Sequence, residues 1–140
     1  MTLPGGVLDT CVVIELGGQA MDEAQIPDEQ AITAITIGEL SVGPLVAADV
    51  DERSRRQARL QVVEAQFAAA TLPYDAAAAR IFGRIMATAL LERRGSRART
   101  SDYQIAAIAI AHDLPLYTIN TRDFAAVPGL HLIAVNLSAR

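Results

Sequence analysis

Residues 100–124 read TSDYQIAAIAIAHDLPLYTINTRDF. Ile105 and Ile108 repeat at helical spacing among alanines, which indicates a helix with a buried face. Ser101 and Gln104 have the spacing of a capping box, and Pro115 prevents the helix from continuing into the apolar segment that follows it. The stretch therefore predicts one short buried helix followed by one short buried strand.

Two acids flank this helix and strand. Asp102 lies in the first turn of the predicted helix, and Asp123 lies just beyond the carboxyl end of the predicted strand. In a parallel α/β sheet these positions share one rim, because the helix after one strand begins where the next strand ends. Asp9 follows the first apolar strand of the chain, and Glu39 follows the second. We therefore expect all four acids on that rim.

The rest of the chain alternates between strands and helices. Apolar segments bounded by turn residues predict short strands at residues 6–8, 31–35, 71–73, 114–120 and 130–135. Helical spacing predicts helices at residues 11–16, 36–48, 49–70, 76–93 and 101–113. This alternation predicts an α/β fold with a central, mostly parallel sheet of about five short strands, covered by helices on both faces. Residues 1–140 have the length of a single domain.

Composition excludes several classes of protein. The net charge of −4 argues against nucleic-acid binding through a general basic excess, so any such contact would be local. Apolar runs are too short to span a membrane, and no basic segment precedes an N-terminal apolar one, so we expect a soluble, unprocessed, cytoplasmic protein. One cysteine and two histidines argue against a zinc site.

Each acid on the predicted rim also has a local explanation. An N-cap role explains Asp9, and a capping box with Thr36 explains Glu39. These local roles do not predict that the acids converge. Carboxylates held close together repel one another and stay ionised only if a cation neutralises them. Oxygen ligands without cysteine or clustered histidine select a hard ion, Mg²⁺ or Mn²⁺.

Four ordered motifs resemble those of PIN-domain ribonucleases, and within that group the chain is most similar to the VapC toxins of VapBC toxin-antitoxin pairs. The motifs are Leu8-Asp9-Thr10, Thr36-Ile37-Gly38-Glu39-Leu40, Ser101-Asp102-Tyr103-Gln104-Ile105-Ala106-Ala107, and Thr118-Ile119-Asn120-Thr121-Arg122-Asp123-Phe124 with Pro128-Gly129-Leu130 after it. They cover essentially the whole chain in order and spacing.

The resemblance implies a three-layer α/β/α PIN-like domain with assigned site residues. The catalytic, metal-binding acids would be Asp9, Glu39, Asp102 and Asp123. Supporting hydrogen bonds to the acids or the substrate would come from Thr10, Thr118 and Asn120. The chain departs from the pattern at Cys11, where such proteins often carry a small polar residue. This departure puts a hydrogen bond to Asp9 in doubt, and we expect a buried, unreactive thiol.

The resemblance also implies an activity and partners. The chain would be a Mg²⁺-dependent endoribonuclease, with Mn²⁺ as an alternative, that hydrolyses RNA phosphodiester bonds and inhibits translation and growth. A VapB-like antitoxin would bind and silence it, and a homodimer is expected. The arginines best placed in sequence to hold RNA phosphates are Arg94, Arg97 and Arg99. We interpret the earlier group, Arg53, Arg55, Arg56 and Arg59, as a solvated helix face.

Three alternatives fit parts of the pattern. A receiver domain also has an acidic Mg²⁺ pocket on a doubly wound sheet, but it needs a lysine near the end of the sheet, and the chain contains none. A haloacid-dehalogenase phosphatase needs a second aspartate two positions after the first, where this chain has Cys11. A non-catalytic PIN-like interaction module would keep the fold without turnover, and the complete acid set argues against it.

Overall fold

Five short strands form the central sheet of the computed structural model, which describes residues 5–92 and 99–138. They are β1 (Gly6–Leu8), β2 (Gln30–Thr33), β3 (Thr71–Leu72), β4 (Leu116–Thr118) and β5 (Leu132–Ala134). The strands lie in the order β3-β2-β1-β4-β5, and every pairing in the sheet is parallel. The predicted parallel α/β sheet is thus confirmed, with strands shorter than the apolar segments suggest.

In the part of the chain that the structure describes, five α-helices connect and cover these strands. They are α1 (Thr10–Glu15), α2 (Ala34–Leu45), α3 (Val50–Gln66), α4 (Ala76–Leu91) and α5 (Thr100–Ala111). Short 3₁₀ turns occupy Glu23–Gln25 and Thr121–Phe124. Across residues 5–92 and 99–138, no helix has both the length and the apolar character that crossing a membrane requires.

Two hydrophobic cores lie on the opposite faces of the sheet. Val7 and Leu8 are neighbours in β1 and point to opposite faces because side chains alternate along a strand. Val7 joins the core that includes Tyr103 of α5 and Ile85 of α4. Leu8 joins the core that includes Val63 of α3. Helices therefore cover both faces of the sheet, as the sequence predicts.

Two helices begin earlier than the sequence predicts. The expected capping boxes at Thr36 and at Ser101 are wrong, because both residues lie inside the first turn of their helices. The cap of α2 is Thr33, whose buried hydroxyl accepts a hydrogen bond from the backbone N–H of Thr36 at 3.3 Å. Helix α5 begins after Arg99, which within the described residues provides no side-chain cap. Thr36 and Glu39 are consequently free to bond elsewhere.

Gly43 and Pro44 do not interrupt α2. The helix includes both residues and ends at Leu45, so Pro44 lies in its last turn. A proline there removes only one helical hydrogen bond close to the helix end, where the helix is about to stop. The backbone carbonyl of Gly43 instead accepts a hydrogen bond from the Arg56 guanidinium at 2.9 Å.

We predict that Gly6→Ala destabilises the fold. A Cβ at Gly6 would overlap the ring of Tyr117 on the neighbouring strand β4, at 2.8 Å from its Cδ1. Such overpacking typically costs about 1–3 kcal/mol of unfolding free energy. Urea unfolding measures the change. Gly83→Ala in α4 is the matched control, since a Cβ there meets nothing within 4 Å. The control should gain up to about 1 kcal/mol from helix propensity, and equal effects of the two substitutions would contradict the expected overlap.

Candidate functional site

Four acids lie at the carboxyl rim of the sheet, each positioned by a different element. Asp9 directly follows β1 and caps α1, and Glu39 projects from α2, which follows β2. Asp102 lies in the first turn of α5, and Asp123 lies in the 3₁₀ turn after β4. The other three carboxylates all act electrostatically on Asp102. The structure therefore brings the four sequence-predicted acids into one electrostatic group.

Asp9 is the most firmly held of these acids. Its side chain is 5% exposed, and its Oδ1 accepts a hydrogen bond from the backbone N–H of Thr10 at 2.9 Å. Its Oδ2 accepts a hydrogen bond at 2.8 Å from the hydroxyl of Thr118, which is fully buried at the end of β4. The Thr118 oxygen in turn accepts the backbone N–H of Asn120 at 3.0 Å. Asn120 thus supports the Asp9 site through its backbone N–H.

Glu39 is oriented by a pair of threonines. The Thr10 hydroxyl donates to Glu39 Oε1 at 2.7 Å, and the Thr10 and Thr36 hydroxyl oxygens are 2.8 Å apart. Because Thr10 has one proton and gives it to Glu39, Thr36 must donate to Thr10. Sequence reasoning predicted the supporting role of Thr10 but not that of Thr36. The i,i+3 spacing of Thr36 and Glu39 on one helix face was the available signal.

Cys11 keeps a weak hydrogen bond with the site. Its Sγ is 3.3 Å from Asp9 Oδ2 and 3.5 Å from the Thr118 hydroxyl oxygen. Burial, followed by the negative charge of Asp9, raises the pKa of the Cys11 thiol. The thiol therefore keeps its proton at neutral pH and can donate it to Asp9. The side chain is half-buried, whereas the sequence predicted a buried thiol.

The surroundings of Asp102 in the site raise its pKa. Burial is the largest cause, and the charges of Asp9, Asp123 and Glu39 act in the same direction, so that the pKa of Asp102 rises to about 6. The positive charge of Arg99 opposes this rise. Repulsion of this kind is what a cluster of carboxylates without a neutralising cation experiences.

Arg99 lies among the acids rather than apart from them. One of its guanidinium nitrogens, Nη1, is 2.7 Å from Asp123 Oδ1 and 3.8 Å from Asp102 Oδ2. The guanidinium therefore supplies part of the positive charge that the carboxylates need. Arg94 and Arg97, the other arginines singled out in the sequence, lie outside the described residues.

The donor set fits a hard divalent cation by its chemistry. The converging ligands are carboxylate oxygens, and the nearby thiol is held neutral, which favours Mg²⁺ or Mn²⁺ over softer metals. As the side chains stand in residues 5–92 and 99–138, no group of three or more acid, histidine or cysteine side chains is close enough to hold an ion. An ion would therefore require the carboxylates to come closer together, beside the guanidinium of Arg99.

We predict that Asp102→Asn stabilises the metal-free protein at neutral pH. The folded-state pKa of Asp102, about 6, lies above its ordinary value of 3.8. Protonated Asp102 therefore stabilises the fold relative to ionised Asp102, and this stability is present at low pH and lost as pH rises through the folded pKa. Asparagine does not ionise, so the variant does not lose stability in this way. After screening by solvent, the gain is on the order of 1 kcal/mol. Thermal unfolding in EDTA at about pH 4 and about pH 7.5 measures it.

Unfolding measured at two pH values distinguishes repulsion among the acids from an interaction of Asp102 with the dipole of α5. If Asp102 acted only as a first-turn acid that favours the dipole of α5, the asparagine variant would be less stable by some tenths of a kcal/mol at neutral pH. A variant that is less stable than the wild type at both pH values would contradict the repulsion among the acids.

Known proteins with the same fold and similar sequence were found by comparison, although no protein-family model matches the chain. The chain is 43% identical over 129 residues to Ribonuclease VapC5 of Mycobacterium tuberculosis, covering 91% of each protein. It is 30% identical over 135 residues to Ribonuclease VapC of Rickettsia bellii, covering 95% of this chain and 98% of that one.

A solved structure supports the same assignment. The crystal structure of VapBC-5 from Mycobacterium tuberculosis, described as a member of the VapBC family of toxin-antitoxin systems, contains a chain that is 41% identical. It superposes with a TM-score of 0.79, over 94% of this chain and all of that one. The predicted three-layer PIN-like fold is thereby confirmed, and the likeness in sequence extends along almost the whole chain. The chain therefore belongs to the VapC family of ribonucleases.

Proposed function

We propose that this chain is an endoribonuclease toxin that hydrolyses RNA phosphodiester bonds with a divalent cation, Mg²⁺ or Mn²⁺. The acids that hold the cation and carry the reaction are Asp9, Glu39, Asp102 and Asp123. One observation carries the assignment of these residues: burial, together with the nearby charges of Asp9, Asp123 and Glu39 from three other elements, raises the pKa of Asp102 to about 6. The names of the relatives, ribonucleases VapC5 and VapC, support the reaction class.

The residues around the acids hold them in position. Hydrogen bonds from Thr10 and Thr118 fix both oxygens of Asp9. Oδ1 keeps a lone pair for a further partner, and the second lone pair of Oδ2 faces only the weak donor Cys11. The Thr10 hydroxyl orients Glu39 by the hydrogen bond at 2.7 Å. Positioning of this kind matters because in-line attack on a phosphodiester tolerates little displacement of the reacting groups. No nucleophilic side chain is needed for hydrolysis by water.

A divalent cation bound by these acids supplies a Lewis acid for the phosphate and makes water a stronger nucleophile at neutral pH. Asp102 must give up its proton before it can act as a ligand, and a positive charge beside it would lower its raised pKa. The Arg99 guanidinium, with Nη1 at 2.7 Å from Asp123 Oδ1, lies beside the proposed cation site and is placed to contact a phosphate of the RNA.

We further propose that a VapB-like antitoxin binds and silences this chain, which acts in the cytoplasm as a homodimer. The similar chain in the VapBC-5 structure belongs to a toxin-antitoxin system, which supports an antitoxin partner. The two hydrophobic cores share the one sheet, which supports a single domain over residues 1–140. A cytoplasmic location follows from the proposed RNA substrate.

We predict that cleavage of RNA by the purified protein requires Mg²⁺ or Mn²⁺ and stops when EDTA is added. The carboxylate donors have no evident catalytic role without a cation. The measurement is gel analysis of a cellular RNA extract with each metal alone, and with EDTA followed by excess Mg²⁺. Asp9→Asn, which removes a ligand charge, should leave no cleavage above background. Undiminished cleavage in excess EDTA would contradict the mechanism.

We also predict that Thr118→Val reduces cleavage by about 10–100-fold, because residues that orient metal ligands typically have effects of this size. Valine has the shape of threonine but cannot donate a hydrogen bond to Asp9 Oδ2. The reduction should be smaller at high Mg²⁺ if it arises from weakened metal binding. Thr88→Val in α4 is the matched control and should leave cleavage unchanged. Equal activities of the two variants would show that Thr118 does not position Asp9 for the reaction.

A further inference from the structure

A groove begins at the acid site and runs along helix α3. Its volume is about 370 Å³, within the usual range of small-molecule pockets. The residues that line it are Thr10, Ile14, Glu39, Leu40, Gly43, Arg56 and Arg59. Thr10 and Glu39 belong to the site described above, so the groove is continuous with it. The arginines give the same groove a basic wall.

The two arginines of this wall differ in how they are held. Arg56 Nε is 2.9 Å from Glu52 Oε1, and Arg56 Nη1 donates to the Gly43 carbonyl at 2.9 Å. Arg56 is therefore fixed against α2. Arg59 is exposed, and within the described ranges it forms no ion pair. Its guanidinium is free to take a ligand.

The surroundings of Arg59 favour an anion as that ligand. Residues 50–59 contain four arginines and two acids, although the chain as a whole has a net charge of −4. Glu52 is shared by Arg55 and Arg56, whose hydrogen bonds lower its pKa. Arg59 follows Arg55 by one helical turn, and like charges at that spacing repel. Glu52 offsets the charge of Arg55, whereas no acid of the described residues pairs with Arg59, so a bound anion would relieve the remaining repulsion.

We propose that this groove binds the backbone of the RNA substrate, with Arg59 contacting a phosphate next to the one that is cleaved. The inference rests on the proposed function. The exposed apolar side chain of Ile14 provides a surface for the sugar or base of the same nucleotide. Arg59 has no ion-pair partner among the described residues, whereas the guanidinium of Arg99 is paired with Asp102 and Asp123. Phosphate contacts of this kind position the strand without reading its sequence.

The test compares RNA binding by Arg59→Gln with binding by the wild type. Fluorescence anisotropy with a short, mixed-sequence, single-stranded RNA, in EDTA and over a range of NaCl concentrations, gives the salt dependence of the Kd. Loss of one phosphate contact should reduce the slope of log K against log salt by about 0.7. Arg59→Lys keeps the charge and should retain the slope of the wild type. Arg84→Gln on α4 is the charge-matched control, because Arg84 is exposed and lies outside the groove.

Cleavage kinetics in Mg²⁺ provide a second measurement. A contact made equally in the ground state and the transition state changes KM and leaves kcat unchanged. We therefore expect Arg59→Gln to raise KM several-fold at an unchanged kcat, and Arg84→Gln to change neither. Equal salt slopes and equal KM values for these two variants would overturn the proposal. Unchanged RNA binding together with weaker antitoxin binding by Arg59→Gln would also overturn it, and would assign the groove to a protein partner.

These experiments distinguish RNA binding in the groove from the ribonuclease reaction. RNA binding that depends on Arg59, without cleavage by the wild type in Mg²⁺ or Mn²⁺, would support the groove and reject the ribonuclease reaction. Cleavage by the wild type that is unaffected in Arg59→Gln would reject the groove alone. Failure of the wild type to bind the RNA at any salt concentration would reject the groove as well.

Discussion

The hydrogen bond from Thr118 to Asp9 connects the carboxyl ends of two neighbouring strands, and the site depends on it. Both residues are buried, and Asp9 also caps α1 through the backbone N–H of Thr10. A buried carboxylate without such partners would be strongly disfavoured. The same bonds that make the charge tolerable also determine where it points, so the stability of this region and the geometry of the site have a common origin.

The balance of charge around the rim is the second constraint. Burial and three neighbouring carboxylates raise the pKa of Asp102, and the Arg99 guanidinium offsets part of this effect. The metal-free fold thus contains an internal cation at the place where an external one is proposed to bind. Arg99 Nη1 lies 2.7 Å from Asp123 Oδ1, so the guanidinium and a cation bound at the acids would share the charge of the same carboxylate.

Sequence reasoning predicted the sheet, its parallel pairing and the four acids on its rim, because these follow from local periodicity and from the order of strands and helices. It placed the starts of α2 and α5 wrongly, since a Thr-x-x-Glu or Ser-x-x-Gln pattern does not reveal that the helix already begins upstream of it, at Ala34 and at Thr100. The role of Thr36 depends on Thr10, which lies on another helix. The groove beside Arg59 likewise depends on how α3 packs against α2, which no pattern within α3 records.

The order of the strands explains why the site lies where it does. The chain builds the sheet outward from β1 in one direction through β2 and β3, and then returns to the other side of β1 with β4 and β5. At the boundary between β1 and β4 the connections therefore leave toward opposite sides, and a crevice opens at the carboxyl ends of the strands. Asp9 and Thr118 lie at that boundary. The location of the crevice is thus a property of chain topology, and it would persist in a relative whose acids had been replaced and whose chemistry had been lost.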